Sequence, residues 1–190
     1  MKDKLISQIK NYTPCNEQEE VDKALLLRLL SGGADLTRRE NLEAHLTASA
    51  WVVTPDRQKV LMAYHNLYNS WAWLGGHADG EWDLARVARK EAEEESGISG
   101  LRQVTEGPVS LEILPVFGHE KKGKYVPCHL HLNVTYLFEA DPTLTLQMKP
   151  DENSGVDWIP MAELPAKTSE PWMCERIYSK LCDKVRALGI

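Results

Sequence analysis

Residues 75–98 read Gly-Gly-His-Ala-Asp-Gly-Glu-Trp-Asp-Leu-Ala-Arg-Val-Ala-Arg-Lys-Glu-Ala-Glu-Glu-Glu-Ser-Gly-Ile, and this stretch restricts the fold more tightly than any other. Leu84, Ala88 and Ala92 recur every four residues, with Ala85 and Val87 beside them, so 84–96 predicts an amphipathic helix with one buried face. Gly97 is well placed to end it. Glu91, Glu94 and Glu95 stand at i, i+3 and i+4 and share one patch of helix surface, where like charges repel. Lys90 offsets part of that repulsion through an (i, i+4) pair with Glu94, in the weaker order of the two charges. A divalent cation offsets far more, because hard cations take carboxylate oxygens together with phosphate oxygens of a substrate. A glycine loop leading into a carboxylate-rich helix therefore predicts a site that holds Mg²⁺ or Mn²⁺ against phosphates. The plain alternative is a solvated acidic helix face.

Around this segment the hydrophobic period changes from helix to strand. Asn16 and Glu19 make a capping pair for a helix carrying Val21, Leu25 and Leu29, with Leu26 and Leu30 alongside, and Gly32-Gly33 stops it. Thr37 and Glu40 repeat the capping pattern and predict a further short helix, so residues 1–42 read as an N-terminal helical arm. Strands are expected at 46–53 and 60–65, joined as a hairpin by Thr54-Pro55-Asp56. Residues 66–83 read as a loop. Residues 111–117 and 156–159 are strand-like. The segment 127–138 alternates most clearly: Cys128, Leu130, Leu132, Val134 and Tyr136 on one face, His129, His131, Asn133 and Thr135 on the other. Pro171 opens a last helix with Met173, Ile177, Leu181 and Val185 on one stripe. Strands mixed with a few helices give an α/β or α+β class with a mixed sheet.

Composition excludes several partners. With 28 acidic against 22 basic side chains in 190 residues, the net charge is −6, which lacks the basic footprint of a nucleic-acid polymer binder. No apolar run approaches the roughly 20 residues a membrane helix requires, and no secretory signal is visible behind Met1-Lys2-Asp3-Lys4, so a cytoplasmic location is expected. Cys15, Cys128, Cys174 and Cys182 are too scattered for a zinc cluster or a disulfide framework.

At residues 76–98 the chain resembles the Nudix hydrolase family, whose signature is Gly-x5-Glu-x7-Arg-Glu-U-x-Glu-Glu-x-Gly-U, with U a bulky aliphatic residue. Gly76, Glu91, Glu94, Glu95, Gly97 and Ile98 match. Trp82 stands in place of the first glutamate, Lys90 in place of the arginine, and Ala92 is small for its position. Val156-Asp157-Trp158-Ile159-Pro160 followed by Glu163-Leu164 resembles a segment that Nudix proteins often carry near their end. The resemblance runs from about residue 44 to 166, within a domain expected over 43–190 that includes the C-terminal helix. It implies an α/β/α sandwich with a mixed sheet and hydrolysis of a diphosphate linkage in a nucleoside diphosphate derivative or similar small molecule with Mg²⁺ or Mn²⁺. It implies that Glu91, Glu94 and Glu95 serve as metal ligands or base, that the Gly76 carbonyl reaches the metal, and that Lys90 orients a catalytic glutamate as a point charge without arginine's bidentate fork. Glu152, in the polar loop before Trp158, is the candidate further metal ligand. A homodimer fits the same resemblance.

Other candidates stand beside these. His77 follows the glycine pair and is a candidate phosphate contact. His129 and His131, two apart on one strand face, either ligate a metal, contact substrate or line a wetted cleft. Trp71 and Trp73 read as packing residues more than as a base-stacking platform. Lys121, Lys122 and Lys124 read as a solvated hairpin tip, with contact to phosphate as the alternative. Two rival functions share the fold: a non-catalytic nucleotide-binding regulator, and an isomerase of isopentenyl-diphosphate type. The second usually carries a cysteine in the loop where this chain has Leu74-Gly75-Gly76-His77.

Overall fold

The computed structural model describes residues 1–66, 69–121, 123–150 and 153–188. Its centre is a mixed sheet. The strands are β1 (Ala44–Val53), β2 (Lys59–His65), β3 (Ser70–Ala72), β4 (Leu74–His77), β5 (Arg102–Gln103), β6 (Ser110–Val116), β9 (His129–Glu139) and β10 (Asn153–Pro160). They run in the order β10-β2-β1-β9-β5, with β3 on β2, β4 on β1 and β6 on β9. β1 and β9 are parallel, in a continuous register from Ala44↔Leu130 to Val53↔Glu139, and the remaining pairings are antiparallel. β7 (His119–Lys121) and β8 (Lys124–Val126) form a separate hairpin, with Lys121 paired to Lys124. Lys122 lies outside the described residues.

The helices are α1 (Lys2–Asn11), α2 (Glu17–Leu30), α3 (Leu84–Ser96), the short α4 (Leu164–Lys167), and a C-terminal α5. The last is built from Pro171–Met173, a wide π turn over Cys174–Tyr178, and Ser179–Ala187. α3 has the predicted limits. Asp83 caps its N-terminus by accepting from Arg86 N–H, and Gly97 ends it in the left-handed region at φ 72°, where a side chain would be strained.

The two sheet faces bury different cores. The even residues of β1 and β9 (Leu46, Ala48, Ala50, Val52, Leu132, Val134, Tyr136, Phe138) pack with Leu84, Val87, Ala88 and Ala92 of α3, and with Leu5, Ile9, Leu26 and Leu30 of the N-terminal arm. The odd residues Trp51, Val53 and Leu137 pack under Ile177, Leu181 and Val185 of α5. The arm thus belongs to the main core.

Several expectations shift. The arm's buried stripe is Leu26 and Leu30, and Val21 is exposed, because α2 turns a neighbouring face inward. The helix expected from Thr37 is absent: Thr37 donates its backbone N–H and its hydroxyl to the Asp35 carboxylate, a local turn that stands in place of the helix start. Residues 66–83 contain β3 and β4, short strands whose ladder partners lie far along the chain. The polar face of β9 is covered, with His129, Asn133 and Thr135 all buried.

Candidate active site

α3 sets two carboxylates, Glu91 and Glu95, beside the β4 glycines. Glu91 lies against Gly76 so closely that a Cβ there would stand 2.6 Å from Glu91 Oε2. Gly75 N–H donates to Glu95 Oε2 over 3.3 Å, and Glu95 is buried. A Cβ on Gly75 would meet the Ala48 carbonyl oxygen at 2.4 Å, so β4 approaches β1 only because this residue is glycine. Lys90 Nζ lies 3.5 Å from Glu91 Oε1 and 3.3 Å from Glu94 Oε1, a point charge between two acids. Burial pushes the Glu91 carboxyl above the usual range, Lys90 pulls it back, and Glu94 adds to the rise. Glu91 in turn raises the Lys90 ammonium.

These oxygens suit a hard divalent cation. The donor set is wholly carboxylate, and Glu91 occupies the space that a side chain on Gly76 would fill. Of the departures from the signature, Trp82 is engaged elsewhere. Trp82 packs against the first core, with Lys2 Nζ 5.4 Å from its ring centre. Its acidic neighbours are occupied too: Glu81 accepts from the N–H groups of Trp82 and Asp83, and Asp83 caps α3. Glu152 lies outside the described residues, so nothing places it near the carboxylates.

The histidine candidates converge beyond expectation. The β1–β9 register sets His45 beside His131, and the β1–β4 register sets His77 opposite Thr47 on the same face. The His45 ring centre lies 5.1 Å from that of His77, 4.7 Å from His129 and 5.0 Å from His131. His77 and His131 are 4.9 Å apart. His45 Nδ1 sits 3.1 Å from the Asn41 carbonyl oxygen and His129 Nδ1 2.8 Å from that of Pro127, which places the ring proton on Nδ1 in both. Burial, with the other imidazoles adding, depresses His131 to about 3 and lowers His45 as well. His45 escaped the sequence reading. Its signal is the parallel register, which no local pattern in β1 reveals.

The same face continues into a buried polar network. Asn133 Oδ1 accepts from Thr47 and Ser49 hydroxyls, and its Nδ2 donates to Glu112 and Thr135. Lys180 of α5 closes on Glu112 at 3.2 Å. Trp71 meets Tyr64 edge-on, and Trp73 meets Tyr178, so both tryptophans are packing residues here.

A mixed sheet carrying a glycine loop and a carboxylate helix defines a Nudix-type fold. The NUDIX domain model matches residues 43–178, and the chain belongs to the Nudix family. Among solved structures, an Ap4A hydrolase of C. elegans aligns with TM-score 0.53 and 18% identity over 75% of this chain and 96% of its own. The dihydroneopterin triphosphate pyrophosphohydrolase of E. coli gives 0.54 and 14% over 73% and 94%. RenU, a Nudix hydrolase of M. smegmatis, gives 0.51 and 14% over 83% and 94%. At these identities the likeness is one of fold. No curated protein is significantly similar in sequence. Among the described residues no helix is long and apolar enough to cross a membrane.

Proposed function

We propose that the chain hydrolyses a diphosphate linkage in a nucleoside diphosphate derivative or a similar small molecule. The observation that carries this reading is the approach of Glu91 and Glu95 to the Gly75-Gly76 strand, with Lys90 joining Glu94 to Glu91. Glu91, Glu94 and Glu95, with the Gly76 carbonyl, would hold Mg²⁺ or Mn²⁺. When bound, such an ion neutralises phosphate oxygens and acidifies a water. The chain's own groups do the rest. The Gly75 N–H donates to Glu95 and holds its carboxylate at the β4 strand. Lys90 holds Glu91 and Glu94 in place against their mutual repulsion. Glu91, whose carboxyl is held above the usual range by partial burial, takes the proton of the attacking water. The negative global charge is no obstacle, because a diphosphate arrives with its cation. Solved Nudix neighbours named for Ap4A and for dihydroneopterin triphosphate support a substrate of this kind.

The test is release of phosphate or nucleoside monophosphate from a panel of nucleoside diphosphate derivatives with Mg²⁺ or Mn²⁺, repeated with Glu95→Gln. Turnover by the natural sequence and its loss in the variant support the reading. Unchanged turnover in the variant removes Glu95 from the machinery. Nucleotide binding without turnover across the panel would favour a regulatory module.

A further inference from the structure

Four of the six histidines in the chain gather on one sheet face, and three of them meet as metal ligands would. One ligand atom each from His45, His77 and His131 lies within 4.8 Å of the others. Two imidazole nitrogens on one ion stand up to about 4 Å apart, given bonds of about 2.0–2.1 Å, so small ring rotations close the set.

The hydrogen bonding points the same way. His45 is 3% exposed, donates Nδ1–H outward to the Asn41 carbonyl, and turns its Nε2 lone pair inward. That Nε2 is buried and has no hydrogen-bond partner among the described residues, and the same holds for His131 Nε2. Buried acceptors without donors are costly and rare in native proteins. A metal-ligating imidazole shows this arrangement, with the far ring nitrogen tied to a backbone carbonyl to fix tautomer and direction. His129, likewise tied to Pro127, walls the cluster at 4.7 Å from His45. Imidazoles packed this tightly cannot all be protonated, so they present lone pairs.

We propose that His45, His77 and His131 form a second metal site, for a borderline transition-metal ion of the Zn²⁺ class, with its remaining positions open to water or an anionic oxygen of a ligand. Three nitrogen donors select Zn²⁺, Co²⁺, Ni²⁺ or Cu²⁺ over Mg²⁺, which demands oxygen. The site is chemically separate from the carboxylates of α3, although the two meet at consecutive residues, Gly76 and His77. It does not rest on the hydrolase reading.

Co²⁺ provides the probe. Chelator-stripped full-length protein, in excess Mg²⁺ to satisfy the carboxylates, is titrated with Co²⁺ and followed by visible d–d absorption. The expected result is a band saturating at one equivalent and displaced by Zn²⁺. His77→Asn and His131→Asn should each weaken Co²⁺ binding at least about 100-fold, and the Glu94→Gln/Glu95→Gln double variant should keep the band. Far-UV circular dichroism confirms the fold of each variant, and His77→Asn, at a half-buried position, keeps the test open if His131→Asn does not fold. No band in the natural sequence, a band unchanged in folded histidine variants, or a band lost only in the glutamate variant overturns the proposal. Loss of hydrolysis leaves this readout untouched, so failure of one reading is distinguishable from failure of the other.

Discussion

The Glu91 carboxylate lies against the Gly76 backbone, so that a Cβ on the glycine would stand 2.6 Å from both Cδ and Oε2. The atoms in the way are the far end of a flexible side chain, which can swing aside. Gly76→Ala should therefore keep its stability to within about 1 kcal/mol. The displaced carboxylate should lower kcat/KM on the best substrate by about 100-fold, the usual cost of misplacing a catalytic group by about 1 Å.

Gly75 makes the contrast. A Cβ there meets the Ala48 carbonyl oxygen at 2.4 Å and Ser49 Cα at 2.8 Å, which are strand backbone and cannot yield cheaply. Gly75→Ala should lose about 1–3 kcal/mol by overpacking, a drop in Tm of several degrees. Thermal denaturation of the two alanine variants side by side checks the distinction. Equal Tm values would mean that β4 can move away from β1.

Lys90 stands between Glu91 and Glu94 with its side chain 62% exposed. An exposed pair of this kind contributes well under about 1 kcal/mol to folding, so Lys90→Ala should leave Tm nearly unchanged. Its effect belongs to the site. Without the counter-charge the two acids separate, and kcat/KM should fall by about tenfold, which corresponds to about 1.4 kcal/mol. Lys90→Arg restores a bidentate donor and should match or exceed the natural rate. Steady-state kinetics on the three proteins decides it.

Trp82 is the residue that most departs from the family signature, and it packs against the first core with Lys2 over its ring. Trp82→Glu would match the signature yet set a carboxylate against apolar side chains. The expected outcome is a loss of about 1–3 kcal/mol in a denaturant melt. A variant as stable as the natural chain would show that the ring contributes no packing.

Legibility followed the locality of the signal. The limits of α3 were readable because capping, apolar period and the terminal glycine all lie within one short window. The (i, i+4) pairing of Lys90 with Glu94 was readable for the same reason. β3 and β4 were not, since Gly75 and Gly76 carry no strand propensity and are held by register with Ser49 and Ala48. Thr37 misled because Asp35, two residues earlier, draws it into a local turn. His129 and His131 stood out as a pair on one strand face, but the imidazole cluster needs His45, which is 86 residues from its register partner. The buried polar face of β9 was hidden too, because the coverage comes from α5 and the arm.

Glu19 shows how the arm is fastened and gives the pH prediction. Its fully buried carboxylate accepts from Lys184 at 2.6 Å, Tyr12 at 2.7 Å, Ser110 at 2.9 Å and Cys15 N–H at 3.0 Å, with Lys180 at 3.0 Å. Burial alone would raise its pKa. The Lys184, Cys15 and Tyr12 hydrogen bonds and the Lys180 charge outweigh that and hold it down at about 2, against an ordinary 4.5. A carboxyl depressed by folding stabilises fully above its unfolded value and loses that contribution as the pH falls through its folded value. Stability should therefore decline between about pH 4.5 and pH 2 in part through Glu19. Glu19→Gln strips two lysines of a buried partner and should cost about 3–5 kcal/mol at neutral pH. It should also flatten the acid limb, because the titrating group is gone. Urea melts of both proteins at several pH values provide the check, and parallel acid limbs would show that other carboxylates carry the acid sensitivity.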